Sequence, residues 1–468
     1  MKFNIQKAMA EGSKSCSDDP SPKPRGGWRA VKYILANETF EKLASMSVVA
    51  NMTVYLKTKY NMDGLLLVND VSIWSGSNSF TSIGGAVVSD TWLGRYLTLL
   101  FASSSSLMGM VIFTLTAAVP KLRPPTCIDQ ISCVDPKLWQ LSIVYAGFAF
   151  MAIGAGGIRP CNIAFGAVRH HNEERKSTTR ELLQLVVLLV YIFARDSANW
   201  GCLRSDQHQL AHRFSHPDRL PFGIGCFMTM DQQNTIGILQ AIQTNNTMGS
   251  SFKVPPGWLG LSSMIGLAIW IFIYEMIWVL QTKRITGKAK RLSMVQRINI
   301  GLVCAMACSI VAAVIEKQRR KAALQYGSFQ SPMSIVMLLP QFSLSGLVEA
   351  FVAVAVMEYL TTQLPESVRT VAGAIFFISL SVASFLNSIL VNIVHQVTKR
   401  TAKTTWLGGH DLNRDKLENF YYLVAAIEAL NFIYFNVFAR RFIINDSIVK
   451  TESSEGLHKN QDQTSEVA

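Results

Sequence analysis

Long apolar stretches separated by short polar ones run along most of the chain. Two of them, from Tyr96 to Pro120 and from Val371 to Val397, contain no Asp, Glu, Lys or Arg. Each is longer than the stretch of about 20 residues that a helix needs to cross a bilayer. The pattern predicts membrane helices near Ala30–Leu56, Leu67–Trp92, Tyr96–Val119, Leu138–Ala167, Cys226–Gln243, Trp258–Leu280, Ile298–Ile315, Met333–Leu360, Val371–Val397 and Phe420–Phe442. The predicted fold class is therefore an all-α, polytopic membrane protein.

Composition and charge agree with this class and indicate its partners. Hydrophobic residues make up 49% of the 468-residue chain and charged residues 16%, against about 25% charged residues in soluble proteins. The net charge of +13 is interpreted as loop charge that orients helices and meets anionic lipid, because no basic stripe is interleaved with aromatic residues. The predicted partners therefore include the lipid bilayer and exclude nucleic acid.

Basic residues cluster in two stretches between the predicted helices. The stretch from Gln281 to Arg297 is rich in Lys and Arg, which predicts a cytosolic location. Counting helices then places a second basic cluster on the opposite side, against the same tendency: Lys317, Arg319, Arg320 and Lys321.

Three charged residues lie in the first predicted helix. Glu38, Glu41 and Lys42 have the i, i+3, i+4 spacing that places them on one helix face. A charge inside a bilayer is costly and persists only where it is paired or lines water. Since one cation cannot neutralise two carboxylates, one carboxylate is free to bind a proton. The alternative is an internally neutralised patch that only holds helices together.

Two further charges lie in helices that glycine or proline would bend. Arg159 lies within Gly154-Ala155-Gly156-Gly157-Ile158-Arg159-Pro160, where the glycines indicate close approach of neighbouring backbones. Glu349 follows Pro340 in the predicted helix Met333–Leu360. The two side chains would neutralise each other if their helices face across a cavity.

Several motifs in combination resemble one family. Glu38-Thr39-Phe40-Glu41-Lys42 fits an E-x-x-E-[KR] motif on a first helix, and Gly85-Ala86 with Asp90, Gly94 and Arg95 fits a loop motif between helices two and three. The remaining motifs are Gly156-Gly157-Ile158-Arg159-Pro160-Cys161, Gln232-Gln233-Asn234-Thr235 with Gln240-Ala241, and Leu339-Pro340-Gln341-Phe342 with Glu349-Ala350-Phe351. The chain thus resembles the major facilitator superfamily and, within it, the plant branch of the proton-coupled nitrate and peptide transporter family.

The resemblance implies two six-helix bundles that close around a midplane site and rock between inward and outward openings. It implies a secondary transporter of protons and a small-molecule solute, with no cofactor, no metal and no enzymatic activity. The residues with implied roles are Glu38, Glu41 and Lys42 for the proton, Arg159 with Glu349 for a breakable ion pair between the bundles, Asp231, Gln232 and Gln233 for the substrate cavity, and Gly85, Asp90, Gly94 and Arg95 for the cytosolic gate.

The resemblance leaves the substrate open among nitrate, peptides and organic anions such as glucosinolates or hormones. Family members that bind nitrate through a histidine on helix seven would place that histidine near Asp231. Because a carboxylate does not attract an anion, nitrate would need another arrangement here. The plasma membrane and the vacuolar membrane are equally compatible with the sequence.

Residues 168–223 do not fit the family pattern, which would place helices five and six and a long loop there. The segment is polar, and its apolar run Leu182–Ala194 has only 13 residues. When Arg180–Phe193 is back-translated and read one nucleotide later, it can spell a sequence that looks like the family's helix five. We interpret the segment as a frameshifted translation with a loss of sequence. Taken alone, the spacing of His208, His212 and His216 would instead suggest a metal-binding helix.

The predicted organisation is a cytosolic tail (1–28), helices one to four (29–167), the anomalous segment (168–223), helices seven to twelve (224–443) and a second tail (444–468). About ten of the twelve helices of the fold are thus recognisable. The predicted function is proton-coupled transport of a small solute by alternating access. The alternatives are a truncated or mispredicted family member without transport activity and, from another class, a membrane enzyme built on the histidines.

Overall fold

The structure, a computed structural model, describes residues 48–125, 127, 134–167, 221–248, 252–274, 277, 280–286, 292–363, 369–401 and 404–440. The cluster of Glu38, Glu41 and Lys42, the histidines of the anomalous segment and both tails lie outside these residues. The domain boundaries drawn through those regions therefore stay predictions.

A first group of helices precedes the anomalous segment. It comprises α1 (48–59), α2 (Gly64–Thr91), α3 (Gly94–Ala118), a 3-10 turn at Pro120–Leu122 and α4 (Leu138–Ala167). The side chain of Asp63 accepts a hydrogen bond from the backbone N–H of Gly64 (2.9 Å) and so caps the start of α2. Gly94 has a φ of 71°, a left-handed conformation that glycine adopts without a Cβ clash, and the chain reverses there from α2 into α3.

A second group of helices follows the anomalous segment. It comprises α5 (Pro221–Gln232, a π-helical turn Gln233–Gly237 and Ile238–Ile242), α6 (Trp258–Ile273), α7 (Leu280–Thr286), α8 (Met294–Tyr326), α9 (Leu339–Val348, a π-helical turn Glu349–Ala353 and Val354–Gln363), α10 (Arg369–Thr401) and α11 (Leu417–Tyr434 with a π-helical turn Phe435–Ala439). A 3-10 turn at Ile335–Leu338 precedes α9, and Pro340 stands in the first turn of α9, where its missing N–H breaks no helical hydrogen bond.

Short strands join the loops at one end of the second group. β1 (Thr244–Asn245) pairs in parallel with β4 (Ser331–Ser334), and β2 (Thr247–Met248) pairs antiparallel with β3 (Phe252–Lys253). The helix predicted from Met333 therefore begins later than expected, because the first residues of that stretch belong to β4. The first pair ties the end of α5 to the segment that leaves α8.

Six helices in the described part of the chain are long and apolar enough to cross a membrane: Tyr96–Ala118, Leu138–Pro160, Met294–Tyr326, Ile335–Leu360, Ile375–Thr401 and Leu417–Phe438. They correspond to predicted spans, and the chain is an integral, multi-pass membrane protein. α2 and α5 also form as predicted but are more polar. Their polar side chains are buried between helices, as Ser72 and Asn78 on α2 and Thr229, Asp231 and Gln240 on α5 illustrate.

The glycines of α4 let neighbouring helices approach closely, as predicted. A Cβ on Gly85 of α2 would stand 2.0 Å from the carbonyl oxygen of Gly156, and one on Gly154 would stand 1.9 Å from Ser106 Oγ on α3. Real Cβ atoms do not come this close to other atoms, so these crossings require glycine. The crossings hold α2, α3 and α4 together as one packed unit.

Candidate functional site

The two groups of helices meet where α2 packs against α10, and polar side chains line this contact. Asn69 Oδ1 on α2 accepts hydrogen bonds from Ser388 Oγ (2.8 Å) and Asn392 Nδ2 (2.9 Å) on α10. Helical spacing places the polar residues of each helix on one face. We call the set Asn69, Ser72, Ser384, Asn387, Ser388 and Asn392 the α2–α10 seam.

Asp231 of α5 lies in the α2–α10 seam, with only 9% of its surface exposed. Its Oδ2 accepts hydrogen bonds from Ser72 Oγ (2.9 Å) and Asn387 Nδ2 (2.8 Å), and its Oδ1 accepts one from Ser384 Oγ (3.1 Å). A buried carboxylate is stable only when such donors compensate its lost hydration. The side chain predicted to line the substrate cavity is thus bonded in this state to both groups of helices.

Gln232 and Gln233 follow Asp231, and Gln233 begins the π-helical turn of α5. Both amides are buried, and within the described part of the chain neither their nitrogen nor their oxygen atoms have a hydrogen-bond partner. A buried polar group without a partner costs about 1–3 kcal/mol. Because π-helical turns occur frequently at functional sites, this stretch of α5 is a candidate for rearrangement between states.

Arg159 and Glu349, the predicted ion pair, are both half-buried. The guanidinium carbon of Arg159 lies 5.8 Å from the ring centroid of Phe377 on α10, a cation–π distance that joins the first group to the second. Glu349 begins the π-helical turn of α9. Pairing of these two charges with each other stays a prediction.

The predicted gate residues lie around the turn between α2 and α3. Gly85 packs against α4, and Gly94 forms the turn itself. The side chains of Asp90 and Arg95 lie outside the described residues. Their role as a cytosolic gate stays a prediction.

A buried ion pair on α8 was not recognised from the sequence. Glu316 and Arg319 are both 0% exposed, and Arg319 donates from Nη2 to Glu316 Oε1 (2.7 Å) and from Nε to Oε2 (2.8 Å). Gln240 Nε2 of α5 donates to the same Oε2 (2.9 Å). The basic cluster expected in a loop is therefore part of a helix, and its neighbour Arg320 pairs with Glu418 of α11. The i, i+3 spacing of Glu316 and Arg319 is the signal that could have identified this pair.

A second carboxylate that the sequence pattern did not identify is Asp70 on α2. Its Oδ2 accepts a hydrogen bond from the Tyr145 hydroxyl of α4 (2.9 Å). Both residues line a cavity of about 160 Å³ that also contacts Trp74 and Phe148. The cavity combines an acidic group with aromatic surface, which suits a small cationic or hydrogen-bond-donating group.

Comparison with known proteins identifies relatives over nearly the whole chain. The family model PTR2, described as the POT family, matches residues 222–407. The Arabidopsis thaliana protein NRT1/PTR FAMILY 2.8 is 39% identical, over 92% of this chain and 98% of that relative, and NRT1/PTR FAMILY 2.13 of the same organism is 27% identical, over 90% and 87%. The first alignment spans 551 positions against the 468 residues of this chain, so parts of that relative have no counterpart here.

Solved structures share the fold. An autoinhibited POT family peptide transporter aligns with a TM-score of 0.61 at 14% identity, covering 88% of this chain and 97% of that structure. A POT family transporter in complex with 5-aminolevulinic acid aligns with a TM-score of 0.58 at 11% identity, covering 88% and 96%. At these identities the likeness concerns the arrangement of helices, and it matches the major facilitator fold expected from the sequence.

Proposed function

The chain belongs to the POT family of membrane transporters, and on this premise we propose that it couples the movement of a small solute to that of protons by alternating access. The observation that carries the proposal is the position of Asp231. This carboxylate is buried and accepts hydrogen bonds from Ser72 of the first group and from Ser384 and Asn387 of the second. It is an ionisable group at the contact that must open when the groups move apart.

Protonation of Asp231 changes the strength of the α2–α10 seam. Hydrogen bonds to a charged acceptor are roughly twice as strong as those between neutral groups. A bound proton removes the negative charge and turns one acceptor oxygen into a donor, so the bonds from Ser72, Ser384 and Asn387 weaken. The two groups then separate more readily, and loss of the proton favours their return. Glu38, Glu41 and Lys42 are proposed to receive the proton from the aqueous side.

The charges of two predicted site residues guide the choice of solutes to test. Arg159 on α4 and Glu349 on α9 offer one charge of each sign, which suits a solute that carries both an anionic and a cationic group. The solved relative bound to 5-aminolevulinic acid, which carries a carboxylate and an amine, supports the inclusion of such solutes. A simple anion such as nitrate would have to avoid the negative Asp231.

Proteoliposomes that contain the purified chain and an internal pH dye test the proposal. With acid outside, nitrate, a dipeptide, 5-aminolevulinic acid, a glucosinolate and a plant hormone are added in turn, and one of them is expected to accelerate internal acidification. Asp231→Asn and Glu41→Gln should abolish this solute-dependent proton influx while counterflow exchange of labelled solute continues. Asp135→Asn is the matched control, because that side chain is 82% exposed.

Two results contradict the proposal. If Asp231→Asn takes up protons with solute as fast as Asp135→Asn, the carboxylate in the seam is not part of the coupling. If no solute moves in any assay, the second candidate is favoured, namely a family member that has lost transport activity. The anomalous segment 168–223 and the longer alignment of the Arabidopsis relative are the observations that keep this second candidate.

A further inference from the structure

A carboxylate deep in the second group has no part in the function proposed above. Glu428 lies 11 residues beyond the first residue of α11, Leu417, and only 1% of its surface is exposed. At 1.5 Å per residue this distance along the helix is about half the thickness of the hydrocarbon layer. Glu428 is thus buried near the level of the bilayer midplane. An ionisable residue at this depth is by default a candidate for function.

The hydrogen-bond partners of the Glu428 carboxyl group in the described part of the chain are neutral. Thr229 Oγ1 of α5 donates to Oε1 at 3.2 Å, and Asn431 Nδ2 donates to Oε2 at 3.3 Å. Among the residues that the structure describes, the titratable groups that face it are the thiols of Cys226 on α5 and of Cys308 on α8, both buried. A carboxylate with two long hydrogen bonds and no cation cannot recover the cost of its desolvation.

Glu316 provides the contrast within the same group of helices. It is as deeply buried as Glu428, but Arg319 contacts both of its oxygens at 2.7 and 2.8 Å. Burial is therefore the same for the two carboxyl groups, and the presence of a cation is what differs. Glu316 is stable as a carboxylate because of its cation. Among the described residues Glu428 has neither a cation nor the three shorter hydrogen bonds that Asp231 accepts, and it is therefore stable as a neutral acid.

The contact between α5 and α11 is shaped to admit the Glu428 carboxyl group. A Cβ on Gly225 would stand 2.8 Å from Glu428 Oε1 and 2.7 Å from Asn431 Nδ2, so a larger residue there would have to displace the ends of both side chains. Gly225 and Thr229 are one turn apart on α5, and Asp231 follows two residues later. α5, which contacts the acid through Gly225 and Thr229, is therefore also the helix whose Asp231 lies in the α2–α10 seam.

We propose that Glu428 is a second proton-binding site, separate from the seam, which holds its proton as a neutral acid while α5 packs against α11. This inference rests on the proposed proton coupling only for its role in transport. When α5 shifts as the groups of helices separate, Thr229 and Gly225 move relative to the acid and expose it to a different environment. Glu428 then exchanges its proton in step with Asp231.

Infrared spectroscopy of the full chain in lipid tests the protonation state directly. The carbonyl stretch of a protonated carboxylic acid is separate from the bands of a carboxylate. Subtracting the spectrum of Glu428→Gln from that of the unchanged chain at neutral pH should leave one protonated-acid band, and subtracting Glu316→Gln should leave none. Absence of the band in the Glu428 difference spectrum would overturn the proposal.

Chemical labelling supplies a second readout of the same state. A hydrophobic carbodiimide adds to a neutral carboxylic acid, and transfer of the acyl group from oxygen to nitrogen gives a stable N-acylurea with no leaving group. Labelling of Glu428 should exceed that of Glu316 and of Glu418, which is on the same helix and paired with Arg320. Equal labelling of Glu428 and Glu316 would argue against a neutral acid at Glu428.

The role in transport is tested separately from the protonation state. In the proteoliposome assay, Glu428→Gln should lose solute-coupled proton influx and keep solute counterflow, whereas a purely structural acid would leave the pH dependence of uptake unchanged in this isosteric variant. Unchanged pH dependence would overturn the transport role. If the unchanged chain shows no proton coupling, the proposed function fails, and the infrared result alone decides whether Glu428 binds a proton.

Discussion

Removing Arg319 is expected to destabilise the second group of helices strongly. Arg319→Met keeps an apolar stem of similar length but leaves Glu316 buried without its cation, since the remaining bond is the one from Gln240 at 2.9 Å. Breaking a buried ion pair in this way costs about 3–5 kcal/mol. Replacing both partners, as in the double variant Glu316→Gln with Arg319→Met, removes the unpaired buried charge and should restore most of the lost free energy of unfolding.

Thermal unfolding in detergent, followed with a thiol-reactive fluorescent dye, measures the effect. Cys226 and Cys308 are buried and react only when the second group of helices opens. The control is Arg414→Met, since this side chain is 74% exposed and its contact with Asp411 is long, at 4.0 Å; it should change stability by at most about 0.5 kcal/mol. The reasoning fails if Arg319→Met unfolds at the temperature of Arg414→Met, or if the double variant is no more stable than the single one.

Two further predictions concern packing and pH. Gly85→Ala should lower the unfolding temperature, because its Cβ would stand 2.0 Å from the Gly156 carbonyl oxygen and overpacking costs about 1–3 kcal/mol. Gly84→Ala is the control and should be neutral in the same dye assay, because no atom lies within 4 Å of its Cβ position. Equal unfolding temperatures of the two variants would refute the close crossing. Burial raises the pKa of Asp415, in the loop before α11, from 3.8 to about 6, although Thr405 and the Gly408 N–H donate to it. The stability that this raised pKa provides is fully present below pH 3.8 and is lost as the pH rises through about 6. Hydrogen exchange of residues 404–416, corrected for intrinsic rates, should therefore increase over that interval. Asp415→Asn should remove the increase, and an increase that persists in this variant would assign it to another group.

The membrane class and the family could be predicted from the sequence, and the reason is local. Stretches such as Tyr96–Ala118 reveal a spanning helix because length and apolarity are properties of contiguous residues. The glycines of α4 likewise predicted close helix crossings, which Gly85 and Gly156 form. These features need no knowledge of which helix lies beside which.

The charges of the second group show where sequence reasoning was incomplete. The sequence groups Arg319 with loop charges, because counting predicted helices places it outside the membrane and burial cannot be read from one residue. Its partner Glu316 lies one turn away, so the spacing in the sequence indicates the pair. The other hydrogen-bond partners, Gln240 for Glu316 and Asn413 for Arg319, come from distant parts of the chain. The sequence places Glu428 inside the predicted helix Phe420–Phe442, but nothing local indicates its surroundings, since Gly225 and Thr229, which contact it, lie on another helix.

The sequence by itself determined that the chain forms apolar membrane helices of this family and which few ionisable residues they carry. Only the tertiary structure decided the surroundings of each: Asp231 bonded to both groups of helices, Glu316 paired with Arg319, and Glu428 with no cation among the described residues. The physical reason is that the cost of a buried charge depends on the atoms within a few ångströms of it. For Asp231 and Glu428, those atoms come mainly from helices far away in the sequence.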